Sequence, residues 1–356
     1  MRALCLAALL AAPAGATRPL TPPAPEFPQG AAWINSKPLS LAMMRDRKVV
    51  LVAFLNPTQL HSLRLLPVLK AWFDRYALSQ LMVIGIVTPD LEVQKDAVWV
   101  RAEMKRMGVE FPVMLDGDRR LWKAYANDGW PANYLIDGKG RIVFDRLGEG
   151  GYAEFEKEIR EALADVADRL PDPVAPPEPK ATECGHATPD IALGVRGAVR
   201  PLKLDSGSSA RPALLVASRE GEVATRGKWD IEPDGLRLTR PAPDLNDFVR
   251  VVYEADQALA ALAPTAGKKT RFLVKLDDQW LYEGSAGRDV RFDDDGRSYV
   301  EVDSSRLYDL VRDSGEKAHE HPRMLMSGPA GDLERHGELG AERPGRDFGD
   351  LGSSGA

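Results

Sequence analysis

Cysteine is nearly missing from this chain. Of 356 residues only Cys5 and Cys184 carry a thiol. Disulfide exchange within one site needs a thiolate and a second sulfur inside bonding reach. No Cys-x-x-Cys spacing occurs to supply them. A surplus of positive charge is missing as well. Lys and Arg total 47 against 53 Asp and Glu, a formal net charge of −6, which argues against nucleic acid as a partner. Nor is there a run of about 18 uninterrupted apolar residues, so no membrane span is expected.

The N-terminus reads as an export leader. Arg2 gives a positive start, Ala3–Ala12 a short apolar stretch, and Ala14-Gly15-Ala16 a small-residue cleavage site. Residues 1–16 are therefore expected to be a signal peptide, with the protein periplasmic or secreted. Cleavage after Ala16 removes Cys5 and leaves Cys184 as a lone thiol, unable to form an intramolecular disulfide. Cys184 stands near His186, but two residues in a loop make a weak nucleophile or ligand pair.

Residues 17–30 are Pro-rich and expected to be extended. From 31 to 168 strand and helix patterns alternate. Val49–Phe54 is an apolar strand, followed by a helix from Gln59 to Tyr76 with Pro67 inside it as an expected kink. Leu81–Val87 is a fully apolar central strand. Asp96–Met107 is an amphipathic helix closed by Gly108, Phe111–Leu115 a strand and Arg119–Ala126 a short helix. Ala132–Ile136 and Arg141–Phe144 flank Asp137-Gly138-Lys139-Gly140, a hairpin signal. Tyr152–Leu170 is the last helix. The order βαβαβαββα requires a mixed sheet with helices on both faces.

Pro171–Pro179 marks a semi-rigid linker, bounded as 169–182. Beyond it, over 183–328, short strand-like runs (Ala213–Ala217, Lys228–Ile231, Leu236–Leu238, Phe248–Tyr253, Phe272–Leu276, Tyr299–Val302) alternate with Asp/Gly/Pro turns. This texture predicts an antiparallel β-sandwich. Residues 329–356 are polar and Gly-rich and are expected to be a disordered tail.

Residues 33–165 resemble the thioredoxin-like domain of the DipZ and TlpA-like group of exported thiol–disulfide oxidoreductases, within the redoxin (AhpC/TSA) class. The matching pieces are WINSKPLSL (Trp33–Leu41), VVLVAF (Val49–Phe54), LRLLPVLKAW (Leu63–Trp72), VIGIVTPD (Val83–Asp90), WPANYLIDGKGRI (Trp130–Ile142) and GEGGY (Gly148–Tyr152). The resemblance continues past the linker in TPDIALG (Thr188–Gly194), GKWDI (Gly227–Ile231) and SSRLYDLVR (Ser304–Arg312), similar to the DipZ β-sandwich. It implies a Cys-x-x-Cys at the start of the first helix, where the dipole lowers a thiol pKa. Those positions are Gln59 and Ser62, and the tryptophan ahead of them is Leu55. The membrane-embedded domain that precedes this unit in DipZ has no counterpart in the sequence. The resemblance also implies a cis-proline, Pro131, shaping with Trp130 a groove for extended peptide beside Leu55, Gln59, Leu60, His61 and Ser62.

Other constellations are weaker. His61 and Ser62 are adjacent on a helix and point apart, and the sequence places no carboxylate to orient the imidazole. Asp293-Asp294-Asp295-Gly296 fails the EF-hand pattern at both ends and reads as a turn. His319 and His321 lack further ligands, so no metal site is expected, and no cofactor is implied. Trp280 and Tyr282 alternate on what reads as a strand, a candidate aromatic platform for carbohydrate. The leading expectation is a non-catalytic protein. It would bind an envelope protein or extended peptide at the Pro131 groove, with a carbohydrate contact on the sandwich. The alternative is a redoxin-class oxidoreductase acting through Cys184 or a partner's thiol; a third reading is a purely structural role.

Overall fold

A computed structural model describes residues 21–174, 188, 190, 191, 193, 202–204, 220–227, 229–238, 245, 247–264, 268–312 and 323–329. The leader, Cys184, His186, His319, His321, most of the linker and the tail beyond 329 lie outside the described residues. The chain divides into two compact units, Met1–Pro179 and Lys180–Ala356.

The first unit runs β1 (Ala32–Ile34), β2 (Val49–Leu55), α1 (Leu60–Tyr76), β3 (Leu81–Val87), α2 (Ala97–Arg106), β4 (Val113–Leu115), α3 (Arg120–Ala124), β5 (Ala132–Ile136), β6 (Ile142–Leu147) and α4 (Tyr152–Leu163). Its sheet has the order β1-β4-β3-β2-β5-β6. β2, β3 and β4 are parallel neighbours, while β5, β6 and β1 pair antiparallel. This is the thioredoxin-like mixed sheet. β2 sits at its centre, and every residue of VVLVAFL is buried, as a strand covered on both faces requires.

One face carries α1, α2 and α4. Leu65, Leu69, Trp72, Val100, Met104, Phe155 and Ile159 close on Leu51, Ala53 and Val83 there. The other face is covered by α3 and by residues ahead of β2, with Phe27, Trp33, Leu41, Met44, Leu121 and Tyr125 packed on Val50, Val52 and Phe54. The Pro-rich start is thus fastened rather than loose: Pro22 O accepts the Ile142 N–H at 2.9 Å, and Glu26 accepts the Leu41 N–H at 2.7 Å. α1 continues as one helix across Pro67.

α4 ends at Leu163, seven residues short of the expected boundary. The chain beyond it turns back onto the unit. Pro171 O accepts from Arg160, Asp172 O from Arg75, and buried Glu156 accepts both the Tyr76 hydroxyl and the Val174 N–H at 2.5 Å. Burial and the Glu156 carboxylate raise the Tyr76 pKa, so its hydroxyl stays a donor. Residues 171–174 are therefore pinned to the first unit.

The second unit holds β7 (Leu202–Leu204), β8 (Val223–Arg226), β9 (Trp229–Ile231), β10 (Leu236–Leu238), β11 (Phe248–Tyr253), β12 (Gln257–Leu262), β13 (Thr270–Leu276), β14 (Gln279–Trp280), β15 (Val290–Phe292), β16 (Ser298–Val302), β17 (Arg306–Arg312) and β18 (Arg323–Pro329). The large sheet has the order β15-β16-β13-β18-β11-β8-β7, with β14 also on β13. β12 and β17 form a second sheet and β9 and β10 a third. Val274, Leu276, Val300 and Val302 of the large sheet meet Tyr308, Leu310 and Val311 of β17, with Ala258, Ala260 and Leu262 of β12 beside them. Two sheets thus share one core, as a sandwich requires. β18 pairs with both β11 and β13, so its backbone lies in the middle of the sheet.

Two predictions follow from this packing. Phe155 stacks on Trp72 at 5.5 Å and meets Phe144 edge-on at 5.1 Å. Phe155→Ala is expected to cost about 3–5 kcal/mol in urea unfolding of the first unit. In the second unit, burial opposes ionisation of Asp289, yet Arg306 at 2.8 Å and the Asp309 N–H hold its carboxyl below the ordinary range. A depressed folded-state value gives stability that is present above the unfolded pKa and lost as pH falls through the folded one. Thermal unfolding of this unit should therefore weaken below about pH 4, with a shallower slope in Asp289→Asn.

Candidate functional site

The site is built where β2 hands over to α1. Leu55 ends the strand, Asn56–Thr58 make the turn, and Gln59 is the N-cap with extended backbone (φ −119°, ψ 130°). Its side chain makes no capping hydrogen bond. Ser62 lies three residues on and is 1 % exposed. Its hydroxyl accepts the buried Asn56 N–H at 3.1 Å, closing the turn onto the first coil of the helix.

A buried amide network supports that turn. Asn56 Oδ1 accepts from the Thr58 N–H at 3.0 Å, the Thr58 hydroxyl at 2.9 Å and Gln94 Nε2 at 2.8 Å. Gln94 is fully buried, and its Oε1 accepts the Asp90 and Leu91 N–H groups. The loop after β3 and the loop after β2 are therefore joined beneath the helix start. Every member is neutral, so the network fixes shape and holds no ready proton acceptor.

Pro131 follows Trp130 through a cis peptide bond. The loop after β6 ties it to α1. The Gly148 N–H donates to Pro131 O at 2.7 Å, and the next residue, Glu149, meets His61 Nδ1 at 2.9 Å and Arg64 at 3.3 Å. Gly151, the N-cap of α4, takes φ +64°, left-handed backbone that strains any side chain, so the GEGG loop needs its glycine there. Two consecutive residues thus bring the helix start and the proline together.

The expected groove residues separate into two groups. Gln59 and Leu60 are half-buried, His61 exposed and Trp130 half-buried, so these present surface. Leu55 is 2 % exposed and belongs to the core beside Leu51 and Ala53; it offers nothing to a ligand. Ser62 and Pro131 are buried and shape the site from beneath. His61 does have an orienting carboxylate, from Glu149, far away in sequence. It still activates no nucleophile, because the Ser62 hydroxyl is directed at Asn56.

Sequence reasoning also missed the aromatic side of the site. Trp130 packs on Trp122 at 4.4 Å and a 46° tilt, and the Arg119 guanidinium lies 4.9 Å and 5.5 Å from the two rings. A cleft of about 590 Å³ lies elsewhere on this unit, along β6 between Pro22, Tyr125, Asp128, Tyr134 and Leu147. None of the expected groove residues lines it.

In the second unit β14 stops at Trp280, so Tyr282 falls in a turn and does not share a strand face with it. Trp280 is half-buried under Lys275 Nζ at 4.4 Å, and Tyr282 is exposed. The Asp293–Gly296 segment is a hairpin turn between β15 and β16. Asp293 accepts the Asp295 and Arg297 N–H groups and pairs with the Arg297 side chain at 2.8 Å. Asp137 clamps Lys139 and Arg141 in the same way between β5 and β6. Among the described residues no group of three or more His, Cys, Asp or Glu could hold a metal ion. Among them too, no helix is long and apolar enough to cross a membrane.

No family model matches the chain. It is similar to Protein DipZ of Mycobacterium bovis, 32% identical over 222 residues, which covers 60% of this chain and 31% of the relative. The chain thus spans about a third of that relative's length. Because 60% exceeds the share held by the first unit, the match extends into the second. The thiol-disulfide oxidoreductase YkuV of Bacillus subtilis is 25% identical over 147 residues, 41% of this chain and 98% of that protein. Among solved structures, a thioredoxin-like protein in the oxidized form covers 42% of this chain at 24% identity, with a TM-score of 0.38. The chain is thus DipZ-like and thioredoxin-like, with the fold of a thiol–disulfide oxidoreductase.

One stability prediction tests the turn. Ser62→Ala leaves the buried Asn56 N–H without its acceptor and is expected to cost about 1–3 kcal/mol in urea unfolding. Ser62→Cys should cost less, since sulfur remains a weak acceptor there.

Proposed function

We propose that this protein is a non-redox binding protein of the cell envelope, engaging an extended segment of a partner protein across Pro131. The observation that carries this reading is chemical. The two positions at the start of α1 hold an amide and a buried, hydrogen-bonded hydroxyl, Gln59 and Ser62. Neither accepts or releases electrons, so no mixed disulfide forms at this site. The scaffold around them is nevertheless built. The turn is tied to the loop after β3 through Gln94, the GEGG loop joins Pro131 to the helix, and Trp130 and His61 present surface.

A partner strand would gain main-chain hydrogen bonds and side-chain contacts on Trp130, Leu60 and His61. Placement in the envelope rests on the leader pattern of residues 1–16. An oxidoreductase working through Cys184 is the reading this one displaces, and it has no sulfur at the helix start.

Insulin-disulfide reduction separates the two. The mature protein is expected to be silent, and Gln59→Cys/Ser62→Cys in the same scaffold is expected to be active. Wild-type activity that vanishes in Cys184→Ser would overturn the proposal. Silence in both proteins would mean that the helix start is not arranged for exchange.

A further inference from the structure

The outward face of the large sheet in the second unit carries cations that no carboxylate among the described residues pairs with. Phe272, Val274, Leu276, Val300 and Val302 point into the sandwich core. Alternation along β13 and β16 therefore sends Arg271, Lys275 and Tyr299 to the opposite face. The register places Arg291 beside Tyr299 on β15, and Trp280 beside Lys275 on β14. Each ring holds a cation: the Arg271 guanidinium lies 4.0 Å from the Tyr299 centroid, and Lys275 Nζ lies 4.4 Å from that of Trp280.

The neighbouring acids are already engaged. Glu301, opposite Arg271 in register, is taken by Lys269 at 2.9 Å. Asp278 faces Arg250 at 3.6 Å. Among the described residues no carboxylate pairs with Arg271, Lys275 or Arg291. Arg271 Nε is buried and has no acceptor among the described residues. A half-buried guanidinium with unclaimed N–H groups is costly unless an anion reaches it. Its stacking on Tyr299 holds the fork in place in advance, which lowers the entropy lost on binding.

We propose that this face binds an acidic polysaccharide, with sugar carboxylates on Arg271 and Arg291 and ring faces on Tyr299 and Trp280. β14 continues the line of β16 along β13, so the two aromatics stand two residues apart, roughly 7 Å. That pairing, and not Trp280 with Tyr282, is the aromatic platform. A chain carrying both apolar ring faces and regularly spaced carboxylates matches it, whereas an acidic peptide offers the charge without the rings. The proposal concerns the second unit alone and stands or falls independently of the Pro131 groove.

Titration calorimetry of the whole mature chain tests it, with oligogalacturonate as the probe and a neutral glucan and polyglutamate of equal length beside it. Oligogalacturonate is expected to bind, to weaken with added salt, and to lose at least about tenfold in affinity in Arg271→Gln/Arg291→Gln. Tyr299→Ala should weaken it while keeping the salt dependence. Arg291→Gln alone, at an exposed position, guards against misfolding and should weaken binding in the same direction. Failure of oligogalacturonate to bind at low salt would overturn the proposal. So would equal affinity in the double variant, or polyglutamate or the glucan binding as tightly.

Discussion

The hydrogen bond from the Asn56 N–H to the Ser62 hydroxyl sets the character of the first unit. It lies where β2, the strand buried on both faces, turns into α1, and it fixes how the helix start meets the sheet. Asn56 Oδ1 extends the constraint to Thr58 and Gln94, and Gln94 carries it to the loop after β3. On the opposite side Gly148 and Glu149 join Pro131 to the same helical turn. The geometry that a thioredoxin-like protein uses for sulfur chemistry is thus held by neutral amides and hydroxyls. Such groups cost little to bury when each finds a partner, and they supply shape without reactivity.

The same logic separates scaffold from surface at the site. Leu55, Ser62 and Pro131 are enclosed and set positions, whereas Gln59, Leu60, His61 and Trp130 meet solvent. Glu149 fixes His61 without giving it a nucleophile to activate. The second unit uses its charges differently. Buried Asp309 gathers Gln257, Arg288 and Arg312 into a satisfied network, while Arg271, Lys275 and Arg291 stand on the far face with no carboxylate partner among the described residues.

Much of the first unit was legible because its signals are local. The apolar run Val49–Leu55, the 3.6-residue spacing of α1 and the Asp137–Gly140 hairpin each specify their element without distant help. What stayed hidden depends on contacts between residues far apart in sequence. β1 is too short to show a period, and its pairing with β4 makes it a strand. The end of α4 is set where the chain folds back to Glu156 and Arg160. β12 reads QALAAL, a composition poor in β-branched residues, and is held as a strand by its ladder with β17. β18 contains Gly328 and Pro329 and still occupies the middle of the sheet. At the site, Gln59 and Ser62 could be placed from the flanking motifs. Glu149, Gln94 and Trp122 arrive from other loops, and no spacing rule joins them to Gln59 or Pro131.

The central claim is that no thiol–disulfide couple operates in this thioredoxin-like scaffold. The most direct measurement is the urea unfolding midpoint of the mature chain, taken in excess dithiothreitol and again in oxidised glutathione. A scaffold without a redox couple gives superimposable curves. A midpoint that shifts between the two conditions, and ceases to shift in Cys184→Ser, would contradict the account.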